Sequence, residues 1–388
     1  MKMKNQAESL ARLKANGLSE NTLKNWRKYG LITDDDDLNA RVELLVPRPR
    51  KAPKSGAPKA ISLFSGCGGM DLGLLQAGFE ISYANDLDLN AANTYSRNIG
   101  AIDPRTIYDV DETIIGRADL LTAGFPCQPF SNAGLRKGTS DPRGTLFWET
   151  LRFLESATPK VVIFENVRGL LSMRNPDGEL LIDAIVEELN QRGYRTSFKL
   201  LNAARFGVPQ NRFRVVIVGI KGKSKTFNWE QLQASSADSI GEVLKGIRGG
   251  MPNSENCLEL SPQARKLVVH IPEGGSWKSV PRRHLPDRLK KIQDNMERYH
   301  SPNFYRRFAR HEVMGTVTAT SSPENSGILH PIENRRYSVR EIARFQSFPD
   351  DFIFYGTSVS SMYRQIGNAV PPLLAKVIAD SLFKQNIL

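Results

Sequence analysis

From Ala60 onward the chain alternates short β-branched apolar runs with amphipathic stretches. "AISLF" (60–64), "EISYAND" (80–86), "ADLLTAGF" (118–125), "KVVIFEN" (160–166) and "RVVIVGI" (214–220) are bounded by turn residues, a pattern that predicts strands. Between several of them, residues 69–77 and 180–191 repeat apolar positions at helical spacing. Strand and helix in turn predict an α/β fold, a mostly parallel sheet flanked by helices, with ligands at the carboxyl ends of the strands. The rhythm lapses from about Lys221 to Glu324, where Pro, Gly, Arg and Lys are interspersed with Trp277, Tyr299, Phe304, Tyr305 and Phe308. An inserted, irregular domain is expected there. The pattern returns in "YSVREIARFQSFPDDF" (337–352), with Val339, Ile342, Ala343 and Phe345 at helical spacing, and ends in "RQIGNAVPPLLAKVIADSLF".

Residues 46–59, "VPRPRKAPKSGAPK", have almost nothing to bury and read as a linker. Ahead of it, residues 9–32 read as two short helices joined at Gly17 and Leu18, with Ser19 as N-cap. Leu10, Leu13, Leu18, Leu23 and Trp26 form a candidate shared core that leaves Lys24, Arg27 and Lys28 outward. This suits a helix-turn-helix, and equally a helical pair packed on the main body.

A length of 388 residues allows two or three domains, and 40% hydrophobic with 24% charged content is ordinary for a globular protein. Lys and Arg exceed Asp and Glu by 53 to 41, a formal +12 that favours a polyanionic partner. Cys67, Cys127 and Cys257 are odd in number, far apart and without a Cys-x-x-Cys pair, so reduced thiols are expected. The five histidines, His270, His284, His300, His311 and His330, lack ligand spacing, and no metal is expected. No apolar run approaches the roughly 18 residues of a membrane span, and the start lacks a secretory signal, which together predict a cytoplasmic protein without a membrane partner.

The first strand runs into "LFSGCGGMDLGL", where Gly66, Gly68 and Gly69 make a tight turn that lets backbone approach a ligand closely. Asp71 stands where a dinucleotide fingerprint has another glycine, so a positively charged adenosyl cofactor suits this turn better than a pyrophosphate. Asp86, closing the second strand, is placed either to hold ribose hydroxyls or to cap the next helix. Asp109, in "TIYDVDE", is a candidate for an adenine amino group.

Cys127 lies in "AGFPCQPFSNAG", just past a strand end. A cysteine is more often a small buried hydrophobe than a reagent. An ordinary thiol is only a few per cent thiolate at neutral pH, a cost of about 2 kcal/mol, yet it is intrinsically very nucleophilic. "VVIFENV" delivers Glu165 and Asn166 to the same end of a neighbouring strand. A Cys and a carboxylic acid together suit addition across an electron-poor ring, sulfur attacking carbon while the acid protonates a ring nitrogen. In "GVPQNRFRVVIVG", Arg212 and Arg214 are two apart and expected on one face of a strand, to meet a ring carbonyl, a phosphate or a structural carboxylate.

In that order, "FSGCGG", "GFPCQPFS", "FENVRGLL", "QNRFR", a variable segment, "REIARFQSFPDDF" and "RQIGNAVPP" resemble the motifs of the cytosine-5 DNA methyltransferases of bacterial restriction-modification systems, from Ile61 to the C-terminus. The resemblance implies a Rossmann-like mixed sheet with helices on both faces, plus a smaller irregular target recognition domain. It implies S-adenosylmethionine as methyl donor, held by Phe64, Gly66, Gly68, Gly69, Asp86, Asp109, Phe125 and Asn368. Many members have Glu where this chain has Asp86. It further implies Cys127 as nucleophile at C6 of an extruded cytosine, Glu165 at N3, Asn166 as support for that glutamate, and Arg212 and Arg214 around the base.

Residues 132–147 match the family's mobile catalytic loop. Gln128, Ser131, Arg143, Arg306, Arg307 and Thr316 are the implied contacts to double-stranded DNA, Arg306 and Arg307 belonging to the basic cluster "YRRFARH" and Thr316 to "GTVTAT". The expected division is an N-terminal module at 1–45, a linker at 46–59, a catalytic domain from 60–221 and 325–388, and target recognition at 222–324. A restriction endonuclease is the implied functional partner. Methylation of cytosine in tRNA, and a non-catalytic DNA-binding regulator of the same fold, are the rival readings.

Overall fold

The computed structural model describes residues 56–125, 146–175, 178–222, 224–296, 304–319 and 327–388. The expected N-terminal module, most of the linker, Cys127, Gln128, Ser131, Arg143 and the catalytic loop up to residue 145 lie outside the described residues. The chain divides into two compact units. Of the described residues, one comprises those up to Leu201 with Phe213–Gln233 and Leu374–Leu388; the other comprises Asn202–Arg212 and those within Ala234–Leu373. Residues 325–373 thus gather with the second unit, although their motifs led to a catalytic-domain expectation.

The first unit holds β1 (Lys59–Leu63), α1 (Gly69–Ala77), β2 (Glu80–Asn85), α2 (Leu89–Asn98), β3 (Leu120–Ala123), α3 (Leu146–Ala157), β4 (Val161–Val167), α4 (Leu181–Gln191), β5 (Tyr194–Asn202) and β6 (Phe213–Lys221). The strands lie in the order β2-β1-β3-β4-β6-β5, parallel from β2 to β4, with β6 antiparallel to β4. The order reverses at β1, since β2 lies to one side of it and β3 to the other. A crevice opens at such a switch point, outside the carboxyl ends of the strands.

Alternate residues of four strands, Ile61 and Leu63, Leu121 and Ala123, Val162 and Phe164, Val215 and Ile217, join one core with Phe147, Leu151 and Leu154 of α3 and Ile182, Ile185 and Leu189 of α4. The intervening residues of β4 are buried as well, as expected for a strand covered on both faces. The edge strand β5 was not expected from the sequence. Its residues, YRTSFKLLN, are mostly polar and only partly buried, so they carry no apolar run.

The second unit holds α5 (Ile240–Leu244), α6 (Pro262–Val268), α7 (Asp287–Asp294), α8 (Val339–Phe345) and α9 (Val359–Asn368). A core of Leu260, Leu267, Trp277, Leu289, Ile292, Tyr305 and Leu329 fills part of it. Much of the chain here is irregular, and irregular backbone leaves carbonyls that must find donors. Buried arginines supply them. Arg307 donates to the carbonyls of His330, Glu333 and Val268, and Arg340 to those of Pro252, Pro349 and Phe352.

The last helix is α10 (Pro372–Lys384), where Phe383 meets Phe79 with ring centroids 5.1 Å apart. The stretch Val359–Lys384 is by length and composition alone long and apolar enough to cross a membrane. It is interrupted at residues 369–371 and 67% buried within the protein, as core helices are.

Candidate active site

The carboxyl end of β1 leads into the glycine turn through Phe64, whose backbone adopts the left-handed region at φ 55°. Such a conformation in a non-glycine residue is costly and concentrates at functional sites. Gly66 (φ 58°) and Gly68 (φ 94°) follow, and Gly69 opens α1. A side chain at Gly68 is excluded twice, by its φ and because a Cβ there would fall 2.0 Å from Ile99 Cδ1. The turn is thereby pressed against α2. Cys67 within it is buried, and burial pushes its thiol far up, so this cysteine is a packing residue.

Asp86 stands just past β2, and its two oxygens accept from the amides of Gly66 (2.7 Å) and Asp88 (2.8 Å). The cap of α2 is Asp88, which accepts from Asn90 and Ala91. Of the two sequence readings for Asp86, the cap is therefore excluded; Asp86 ties the glycine turn to β2. Burial pushes its carboxyl up to about 6, although both amides pull the other way. Asp109 ends a short 3-10 turn, Ile107–Asp109, and is half-buried. Phe125, an expected cofactor contact, points instead into the core, with its ring edge-to-face against Phe147 and Phe164. Its carbonyl has another role, accepting from Asn166 Nδ2 at 3.0 Å. That bond ties the end of β4 to the chain two residues before Cys127.

Glu165 and Arg214 form an ion pair, Nε to Oε1 2.8 Å, with side chains only 10% and 12% exposed. The antiparallel register sets Glu165 opposite Val216 and Val167 opposite Arg214, so the two charges are diagonal neighbours on one face. Gly124, past the end of β3, was not singled out from the sequence. A Cβ there would lie 3.9 Å from Glu165 Oε2 and 3.8 Å from the Phe64 carbonyl oxygen, so the ends of β1, β3 and β4 meet around this glycine. A glycine at a strand end beside the cysteine motif was the available signal.

Arg212 does not share that face. The strand begins at Phe213, so alternation does not extend back to it, and it belongs to the second unit. Fully buried, it donates to the carbonyls of Val317 (2.9 Å), Gly367 (2.8 Å) and Ala369 (2.9 Å). Gln210 joins it, donating to Gln346 Oε1 and the Phe345 carbonyl and accepting from the Val317 amide. Gly367 packs so closely that a Cβ would fall 2.3 Å from the Thr318 carbonyl oxygen. The expectation that Arg212 contacts a base is corrected: its guanidinium organises backbone. Asn368, exposed at the end of α9, lies between two of the clamped carbonyls.

Arg306 and Arg307 of "YRRFARH" are both engaged within the protein. Arg307 is buried on carbonyls, and Arg306 donates to Glu312 and to the carbonyls of Gly275 and Arg307 while stacking on Phe308. Thr316 is exposed, its hydroxyl donating to the Asn211 carbonyl at 2.6 Å.

A family model for C-5 cytosine-specific DNA methylases matches residues 58–384. Among relatives, the type II methyltransferase M.NgoFVII of Neisseria gonorrhoeae is 36% identical over 342 residues, covering 84% of this chain and 87% of its own. M.Sau96I of Staphylococcus aureus is 36% identical over 329 residues, covering 82% and 74%. Among solved structures, the S. pombe Dnmt2 methyltransferase superimposes with a TM-score of 0.63 at 19% identity over 85% of this chain and 99% of its own. The Entamoeba histolytica methyltransferase EhMeth gives 0.61 at 16% over 86% and 99%. At those identities the superpositions speak for the shared fold.

Two expected outcomes follow from the geometry. Replacing Arg212 by Met leaves three interior carbonyls without their donor and should cost at least about 3 kcal/mol in urea denaturation. Unchanged stability with altered base discrimination would restore the original reading of this residue. For Asp86, the raised carboxyl makes ionisation in the folded state unfavourable, a penalty absent below about pH 4 and complete above about pH 6. The stability difference between Asp86→Asn and wild type should therefore move in favour of the variant across that window, by on the order of 1–3 kcal/mol; a flat difference contradicts the assignment.

Proposed function

Because this chain belongs to the C-5 cytosine-specific DNA methylases, with close relatives among the type II restriction-modification methyltransferases, we propose that it methylates C5 of cytosine at one short duplex DNA sequence, from S-adenosylmethionine, and so shields host DNA from a cognate endonuclease. The observation that carries this reading is the dehydrated Glu165–Arg214 pair, with Glu165 Oε2 beside Gly124, which is three residues from Cys127 in sequence.

The residues of the glycine turn suit the methyl donor. Gly66, where a side chain would meet nothing within 4 Å among the described residues, leaves room for close backbone approach, Gly68 lets the turn lie against α2, and the Asp86 carboxylate, anchored on two amides, presents remaining lone pairs to ribose hydroxyls. Asp71 beside the turn suits a cationic sulfonium better than a pyrophosphate. When bound, this group supplies an electrophilic methyl. Phe64, Gly66, Gly68, Asp86 and Asp109 would hold it.

In the proposed mechanism the target base leaves the duplex stack, at a cost of a few kcal/mol. The Cys127 thiolate adds to C6 while Glu165, having taken up a proton from solvent and held in place by Arg214, gives that proton to N3, so that no full negative charge builds on the ring. The resulting enamine carbon, C5, takes the methyl group. Water then takes the C5 proton, the thiolate leaves C6 and the N3 proton returns to Glu165, restoring both the aromatic ring and the enzyme. Asn166 fixes the Phe125 carbonyl and with it the approach of the cysteine segment. Target recognition is assigned to residues 222–324.

The test is transfer of labelled methyl from S-adenosylmethionine to duplex DNA and to tRNA, with wild type and Cys127→Ala. Incorporation into DNA alone, lost in the variant by a factor of at least about 10³, supports the proposal. Incorporation into tRNA alone, or undiminished transfer by the variant, overturns it.

A further inference from the structure

The basic residues that the motifs suggested for DNA contact, Arg306 and Arg307, are engaged within the protein, so the free cations of the second unit lie elsewhere. In the other basic cluster, "PRRHLPDRLKK", Arg282 pairs with Asp294, Arg283 donates to His284, and Lys290 pairs with Asp287. Arg288 and Lys291 have no such anionic partner among the described residues. They are three apart on α7 and both exposed, while Leu289 and Ile292 of the same helix are buried in the core. Arg288, Lys291, Ile292 and Phe304 line a concavity of about 400 Å³, with the Arg288 guanidinium 5.8 Å from the centre of the Phe304 ring. Among the described residues, no carboxylate lines it.

We infer that this concavity seats the phosphodiester backbone of duplex DNA. This rests on the DNA methyltransferase reading and names a part of its substrate interface. Two cations held over a partly apolar floor match the composition of a nucleotide backbone, charged phosphate next to apolar deoxyribose. An arginine fixed against an aromatic ring loses less freedom on binding than one extended into water. Because such contacts touch no base edge, α7 contributes grip and register, and sequence is read by other residues.

The test is the salt dependence of binding to a mixed-sequence duplex, measured with the full-length protein for wild type, Arg288→Gln/Lys291→Gln, and the charge-preserving Arg288→Lys/Lys291→Arg. Each neutralised phosphate contributes about 0.9 to the slope of log K against log salt, so the Gln pair should lower its magnitude by about 1.8. Its affinity should fall roughly ten- to a hundredfold at 0.1 M salt for every sequence alike. The charge-preserving pair should keep the wild-type slope. All three should melt together, since both side chains are exposed. An unchanged slope in the Gln pair, or a change for tRNA and none for duplex DNA, overturns the inference while leaving the wild type's methylation of DNA intact. A wild type that neither binds nor methylates duplex DNA overturns the functional reading as well.

Discussion

The arrangement depends on one dehydrated ion pair at the end of a sheet. Glu165 reaches Arg214 because β6 runs antiparallel to β4 in a register that makes them diagonal neighbours. A slip of one residue would turn Arg214 to the opposite face and leave Glu165 buried with no counter-charge, at a cost of several kcal/mol. Parallel strands to one side bring the glycine turn, Asp86 and the approach to Cys127 to the same end. The antiparallel strand on the other side brings the arginine. Both parts of the mixed sheet are thus needed to assemble the chemistry, and the apolar core of alternate strand residues holds that sheet in register.

The second unit solves a different problem. Its chain has few long elements, so its interior contains many carbonyls that no helix or strand satisfies. Arg212, Arg307 and Arg340 each reach several of these at once, because a planar guanidinium offers up to five donors in fixed directions. Such arginines are tied to neighbouring backbone rather than to a ligand. Among the described residues of this unit, the exposed basic side chains include Arg288 and Lys291 at α7.

The same distinction separates what was legible in the sequence from what was not. Apolar runs located five of the strands, and glycine spacing located the turn, since both follow from local chemistry. The antiparallel placement of β6 and the polar edge strand β5 follow from long-range pairing, which the runs do not encode. Two arginines at i and i+2 read as one face, yet the strand starts between them and sends Arg212 into one unit and Arg214 into the other. Phe125 stands in a motif associated with the cofactor, but its ring fills the core and its carbonyl does the positioning. In each case the side chain's contacts depended on where the backbone turned.

The central claim is that Cys127 bonds to carbon while Glu165 shields the ring nitrogen. Duplex DNA carrying 5-fluorocytosine tests it most directly, because fluorine at C5 cannot leave as a proton does, and the elimination that frees the enzyme is blocked. Incubated with this DNA and S-adenosylmethionine, the protein should become irreversibly attached through Cys127, and a digest should yield a peptide bearing a methylated fluoropyrimidine. Methyl transfer to ordinary cytosine, with no such adduct on fluorinated DNA, would contradict the account.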